Sequence, residues 1–314
     1  LYFKGKLLSK IKLPRLDLPS KEREELLKHC RLKPGQVWID PLCGHRVGCL
    51  DASKKSDIKK LMGESLATLA VHDPPYNLVA FDLMEIDAFT AWCKKWIKLS
   101  VNYLDPKSSS LYIWCGADQN NHFSPLPELM LMIKKSFPIL SSRSFITMRN
   151  QRGYGTQKNW MALRQELLYY TLGNATFHVQ YTDIPRKVKG YYKEVNGQIT
   201  ENSERSRSEF IRPGNVWTDV QQIFYRMKEN VEGCYAQKPL KAIERIIKAS
   251  SEEGDIVLDF FAHSGATLLA AEKNKRICYT ADIDPLFCEI AIRRLLNYRK
   301  SGELGYNIAD EVKL

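Results

Sequence analysis

Four consecutive residues, Asp73-Pro74-Pro75-Tyr76, combine types that can activate a poor nucleophile. They follow Ala67 to His72, an apolar run that reads as a buried strand, which puts them at a strand's carboxyl end, where open α/β sheets bind ligands. Two prolines in a row can neither continue a ladder nor enter a helix, so they fix a stiff turn. Asp73 and the Pro74 carbonyl offer acceptors, and Tyr76 offers a flat face for stacking. The set suits an exocyclic amine, whose lone pair is delocalised into an aromatic ring. Two acceptors on its hydrogens draw the nitrogen towards tetrahedral geometry and free the pair to attack a sulfonium methyl, with no covalent enzyme intermediate. Taken alone, the tetrapeptide also admits an ordinary strand-to-loop turn with a capping Asp, the lesser of the two readings.

A second group lies far downstream. Asp255 to Asp259 reads as a strand, Phe260, Phe261, Ala262, His263, Ser264 and Gly265 as a tight loop, and Ala266 to Lys273 as a helix. Such a loop brings backbone N–H groups at a helix N-terminus close to a ligand carboxylate. One strand later, Ile277 to Asp282 ends in Asp282 and Asp284, acids placed to accept ribose hydroxyls.

The elements that must position these groups alternate. Ser20 with Glu22, Glu24 and Glu25 marks a helix start, ending near Cys30. Asp87 to Leu104 and Leu126 to Phe137 read as helices around a strand at Leu111 to Cys115, and Pro239 to Ala249 and Pro285 to Tyr298 as further helices. This rhythm predicts an α/β fold with a mainly parallel, doubly wound sheet. It lapses over residues 141–232, rich in glycine and tyrosine, with short strand-like runs such as Glu166 to Leu172. The expected division is a basic N-terminal arm and helix at 1–40, a catalytic half at 41–140, an irregular insertion at 141–232 and a cofactor-binding half at 233–314.

The chain has 314 residues, is 44% hydrophobic and carries a formal charge of +11, which points to an anionic partner. No apolar run approaches the roughly 20 residues of a membrane span, and no leader pattern opens the sequence, so a cytoplasmic protein is expected. The eight cysteines are scattered without metal-ligand spacing, which predicts reduced thiols and no metal site. His122 and His178 have no partner recognisable in sequence; Trp92, Trp96 and Ile97 read as helix core, and Lys94, Lys95 and Lys98 as a solvated face.

Together the motifs resemble those of the β-class amino-methyltransferases of DNA, a permuted Rossmann-like branch in which Asp-Pro-Pro-Tyr precedes the cofactor-binding half. The resemblance spans roughly residues 45 to 298. It implies S-adenosylmethionine as cofactor, Asp73, Pro74, Pro75 and Tyr76 as catalytic residues, and Asp259, Phe260, Phe261, Ala262, Ser264 and Gly265 as the cofactor loop. Ala236-Gln237-Lys238-Pro239 resembles the family's T-Q-K-P, placing Lys238 at the cofactor. Thr280 to Pro285 resembles G-I-E-I-D-P, making Asp282 the ribose acid with Asp284 beside it. His45-Arg46-Val47 and Leu50-Asp51 resemble H-R-V-L-x-G-D, placing Asp51 near the cofactor adenine. His263 stands where the family has Gly, Phe260 where it has Pro, and Ala266 where it has Thr.

Between Arg143 and Lys193 nine basic residues face two acids, Glu166 and Asp183. Arg149, Arg152, Lys158, Arg164, Arg186 and Lys187 are the expected contacts to double-stranded DNA, and Tyr154 or Trp160 the expected support for a displaced base. Asp at the first motif position favours adenine over cytosine N4, where relatives more often carry Ser. Methylation of RNA or of a protein amide, and a non-catalytic DNA-binding module, are the competing readings. The family's setting is bacterial, and it admits a homodimer and a cognate restriction nuclease as partners.

Overall fold

The computed structural model describes residues 11–76, 84–116, 125–154, 157, 160–185, 192–201 and 208–313. Helices are α1 (Lys21–Leu27), α2 (Lys55–Met62), α3 (Ile86–Asn102), α4 (Pro125–Ser136), α5 (Leu240–Ser250), α6 (Ala266–Lys273), α7 (Pro285–Ser301) and α8 (Ile308–Val312). Strands are β1 (Val37–Ile39), β2 (Arg46–Cys49), β3 (Leu69–His72), β4 (Ser108–Cys115), β5 (Ser141–Tyr154), β6 (Ala162–Gly173), β7 (Tyr192–Val195), β8 (Gln198–Glu201), β9 (Val216–Trp217), β10 (Ile256–Asp259) and β11 (Ile277–Asp282).

Among the described residues nine strands form one sheet, in the order β1-β2-β11-β10-β3-β4-β6-β5-β9. The central run from β2 to β4 is parallel. Side chains alternate across it, as a sheet covered on both faces requires. Leu69, Val71, Tyr112, Trp114 and Val257 pack with α5, α6 and α7, while Ala70, Leu111, Ile113 and Leu258 pack with α2, α3 and α4. The sheet is therefore doubly wound, with β3 and β10 adjacent although far apart in sequence. That adjacency brings the Asp73 turn and the Phe260–Gly265 loop to one edge.

Residues 141–232 divide in two. β5, β6 and β9 complete the sheet beyond β4, and β7 and β8 form a separate hairpin. β5 buries Ile146 and Met148 but exposes Phe145 and Arg149. A strand with one wet face lacks the unbroken apolar signature of the central strands, which is why the rhythm lapses in sequence. The N-terminal segment is tied down from Ile11 onward: Leu13 and Leu16 join Leu26, Leu286 and Ile290 in a third apolar cluster, and Leu16 N–H donates to the Gly233 carbonyl at 2.9 Å.

Candidate active site

Asp73 leaves β3 directly after the buried His72. Its Oδ1 receives two donors, the Tyr76 hydroxyl at 2.6 Å and the Lys238 ammonium at 2.9 Å. The Lys238 side chain is only 5% exposed, that of Asp73 24%. Lys238 Nζ also lies 5.2 Å from the centre of the Tyr76 ring and 5.3 Å from that of Trp114, so the cation is held by a carboxylate and two aromatic faces. Burial, reinforced by the Asp73 charge, holds the Tyr76 phenol well above its ordinary range, so it remains a hydrogen-bond donor. Pro74 is buried and Pro75 half-buried.

His72 joins this turn to the neighbouring loop. Its Nδ1 accepts the Phe260 N–H at 3.1 Å and its Nε2 lies 2.8 Å from the Ser100 hydroxyl. Since Nδ1 accepts, the proton sits on Nε2. Burial pushes the imidazole down to about 3, keeping it neutral. A residue expected to be plain strand thus links β3, β10 and α3.

The loop after β10 is held through its backbone N–H groups. Asp259 Oδ1 accepts the Phe261 N–H at 2.9 Å, Ala262 N–H donates to Ala281 O at 2.7 Å, and His263 N–H donates to Asp282 Oδ2 at 2.9 Å. Gly265 has φ +73°, and a Cβ there would fall 2.8 Å from Ala291 Cα, so glycine permits both the turn and the close approach of α7. His263 also has positive φ, +41°, without glycine's freedom; its ring packs edge-on to Phe287, 4.8 Å between centroids. Burial lowers this imidazole to about 4.

Arg294, which no motif signals, braces the loop from behind. Only 2% exposed, it donates to the carbonyls of Leu304 (2.8 Å), Ser264 (2.8 Å) and Glu229 (3.2 Å). An arginine this far from its carbonyl partners in sequence leaves no local pattern.

One cavity of about 370 Å³ opens onto these elements, within the range of small-molecule sites. It is lined by Asp73, Pro74, Pro75 and Tyr76, by Phe260, Phe261 and His263, and by Asp51, Lys238, Asp282 and Asp284. Asp259, Ala262 and Ser264 instead line a cavity of about 20 Å³ just behind, and Gly265 packs on α7. Asp17, Trp92, Tyr235 and Phe287 also line the larger cavity. Trp92 therefore belongs to its wall, its ring 6.0 Å from that of Phe261, whereas Trp96 and Ile97 are core as expected.

The acids differ in their surroundings. Burial raises both Asp259 and Asp282 to about 7; Asp73 and Asp282 add to the effect at Asp259, and Asp284 at Asp282. Asp51 is held below the usual carboxylate range, because hydrogen bonds from the Ser53 N–H (2.9 Å) and hydroxyl (2.7 Å) and the nearby Lys54 outweigh its burial. Asp284 caps α7 through the Leu286 N–H at 2.9 Å and pairs with Arg23 at 2.8 Å.

Among the described residues one cluster, Asp40, Cys43 and His45, has metal-ligand types within 4.8 Å. Two of its three donors are engaged: Asp40 takes two bonds from Arg299 at 2.8 Å, and His45 accepts the Cys278 N–H and faces Glu272. The cluster braces β1–β2 against α6 and α7. His178, without an expected partner, lies 2.6 Å from Glu252 Oε1, and His122 falls outside the described residues.

Of the expected DNA contacts, Arg149 and Arg164 are exposed and lie opposite each other on β5 and β6. The side chain of Arg152, and Lys158, Arg186 and Lys187, lie outside the described residues.

A family profile described as DNA methylase (N6_N4_Mtase) matches residues 67–293, which include the Asp73 turn, Lys238, the loop and Asp282. The chain belongs to this DNA methylase family. It is similar to the type II methyltransferase M1.MboII of Moraxella bovis, 30% identical over 246 residues covering 73% of this chain and 86% of that protein. It is also similar to the DNA adenine methyltransferase YhdJ of Escherichia coli, 30% identical over 245 residues, 76% of this chain and 79% of that one. Among solved structures, the cytosine-N4-specific PvuII DNA methyltransferase aligns with TM-score 0.55 at 14% identity, over 83% of this chain and 94% of its own. A Thermus thermophilus DNA modification methylase complexed with S-adenosyl-L-methionine aligns with TM-score 0.54 at 21% identity, over 84% and 97%. These two establish the DNA methylase family's fold for this chain. The expected α/β class is the one observed.

Proposed function

We propose that the chain methylates the exocyclic amino group of adenine in double-stranded DNA, using S-adenosylmethionine. The observation that carries this reading is convergence: the Asp73–Tyr76 turn, the Phe260–His263 loop, Asp51 and Asp282 come from separate parts of the chain and line one cavity. The donor set fits the cofactor, with carboxylates for hydroxyls at Asp282, aromatic walls at Phe260 and Phe261, and Asp51 across the cleft. When bound there, S-adenosylmethionine supplies an electrophilic sulfonium methyl.

The chain's own residues do the rest. A target amine within a duplex is out of reach, so the base must leave the stack. Tyr76 and Lys238 both hold Asp73 Oδ1, which fixes the carboxylate plane and turns Oδ2 over to an amine hydrogen. The Pro74 carbonyl takes the other hydrogen. The nitrogen's lone pair is thereby localised, and its surplus proton leaves through the partly exposed Asp73 to water. Residues 141–232 serve target recognition, with Arg149 and Arg164 on phosphates.

Asp73 at the first motif position, and similarity to a protein named as a DNA adenine methyltransferase, favour adenine. Similarity to a type II methyltransferase favours a restriction-modification setting with a cognate nuclease, and pairing of two copies is read by sedimentation with and without DNA. Among the described residues no helix is long and apolar enough to cross a membrane. The base is tested by digesting methylated DNA to nucleosides. N6-methyldeoxyadenosine is expected in the mass spectrum, and N4-methyldeoxycytidine in its place would overturn the adenine reading.

A further inference from the structure

A second cavity of about 370 Å³ lies apart from the cofactor cavity and, among the described residues, shares no lining residue with it. It sits on the α5 face of the sheet's extension, over Tyr112 of β4, Tyr169 of β6 and Ile146 of β5, with Ile246 and Ala249 of α5 beside them. Its remaining walls are fastened in place. His178 N–H donates to Ala249 O at 2.7 Å, which holds the segment carrying Phe177 against α5. Asn215 O accepts the Thr147 N–H at 2.8 Å, which ties the segment carrying Arg212 to β5, and Trp217 Nε1–H closes that segment onto Gly214 O at 3.1 Å. The cavity is therefore preformed, with the volume of a small-molecule site.

Its lining has two parts. The inner part is aromatic: Tyr112 and Tyr169 stack at 4.2 Å with their rings 4° apart, and the Phe177 ring, 52% exposed, stands 6.4 Å from that of Tyr169 at 29°. A flat ring entering the cavity finds aromatic faces to stack on. The rim is basic, and among the described residues no acid lines it. Arg245 is neutralised by Asp219, whereas the exposed side chains of Arg143 and Arg212 have no hydrogen-bond or ion-pair partner among the described residues. Arg143 reaches the cavity through a departure from regular strand. Ser142 lies opposite Tyr170 and Ser144 opposite Tyr169, so Arg143 is the extra residue of a β-bulge. Consecutive residues of a regular strand face opposite ways, yet Arg143 and Ser144 both line this cavity. The bulge thus adds a second guanidinium to a rim that already carries Arg212 and offers neither a counter-charge.

We propose that this cavity is a second ligand site, which takes a nucleoside monophosphate with its base against Tyr169 and Phe177 and its phosphate at Arg143 and Arg212. A phosphate accepts from two guanidinium groups at once and removes the repulsion between them. A base supplies the flat apolar body that the aromatic walls accommodate, and a sugar joins the two within the volume available. The site stands independently of the methylation reading, because none of these four residues lines the cofactor cavity.

The test is calorimetric titration of the full chain with deoxyadenosine monophosphate, with S-adenosylmethionine held at saturation so that the cofactor cavity is filled. One nucleotide per chain is expected to bind, and deoxyadenosine or inorganic phosphate alone to bind at least about tenfold more weakly. Replacing both rim residues, Arg143→Gln and Arg212→Gln, is expected to weaken the nucleotide by about tenfold or more, and Phe177→Ala by a few fold. S-adenosylmethionine affinity, measured first on each protein, is expected to change by less than about twofold, and it reports the cofactor reading separately. Displacement of the nucleotide by a duplex with a phosphorylated overhang would support the site with a strand end as the source, and no displacement supports it with the free nucleotide. No binding at millimolar nucleotide would overturn the proposal, as would inorganic phosphate binding as tightly as the nucleotide. Nucleotide binding that is indifferent to both arginines would overturn it as well.

Discussion

The pair that links catalytic turn and cofactor half, Asp73 and Lys238, can be tested as a double-mutant cycle. Replacing Asp73 by Ala strands an ammonium whose side chain is 5% exposed between two aromatic rings. Breaking a fully buried pair costs about 3–5 kcal/mol. Because the Asp73 side is 24% exposed, screening reduces the expected loss to about 2–3 kcal/mol. Lys238→Met is expected to cost less, about 1 kcal/mol, since Asp73 retains the Tyr76 hydroxyl and reaches solvent. In the double variant no charge is stranded, so the two losses should fall short of additivity by about 2 kcal/mol. Urea unfolding of the four proteins, followed by circular dichroism, gives the coupling directly. Additivity within about 0.5 kcal/mol would refute the reasoning, because the ammonium would then be stabilised by something other than Asp73.

Further expectations follow from the buried polar groups. Asp259 rises to about 7 in the folded protein from an ordinary 3.8, so its contribution is fully present below pH ~4 and is lost as pH climbs through 7. The difference in urea stability between Asp259→Asn and wild type should therefore grow in the variant's favour from pH 4 to 7, by up to ~1.4 kcal/mol per unit; a flat difference counts against the burial argument. His72→Leu leaves the Phe260 N–H and Ser100 hydroxyl without their partner and should cost about 2–4 kcal/mol in thermal or urea denaturation. Gly265→Ala forces a Cβ to within 2.8 Å of Ala291 Cα, at positive φ. It should destabilise by about 2 kcal/mol or more and weaken cofactor binding in calorimetry, whereas a neutral result would place the loop elsewhere.

The parts of this architecture legible in sequence were those with local signatures. The strand–loop–helix of Asp255 to Lys273 reads from a short apolar run, small residues and helical periodicity, and the structure has β10 and α6 there. Asp73 to Tyr76 was legible because two consecutive prolines after an apolar run end the strand's ladder. What was not legible depends on chain segments meeting. Arg294 looks like any helix arginine until Leu304, Ser264 and Glu229 turn their carbonyls to it. Lys238 was expected beside the cofactor by resemblance, but its partner Asp73 lies in the other half of the chain. β5 reads as part of an irregular insertion because one of its faces is wet, and only its pairing with β6, and that of β6 with β4, shows that both extend the sheet.

On this mechanism the Asp73 turn performs the transfer while the separate loop holds the cofactor. Single-turnover methylation of duplex DNA by Asp73→Ala, with cofactor affinity measured on the same preparation, tests it most directly. The transfer rate is expected to fall by about a hundredfold or more, with the cofactor dissociation constant changed by only a few fold. Transfer at the wild-type rate by a folded, cofactor-binding Asp73→Ala protein would contradict it.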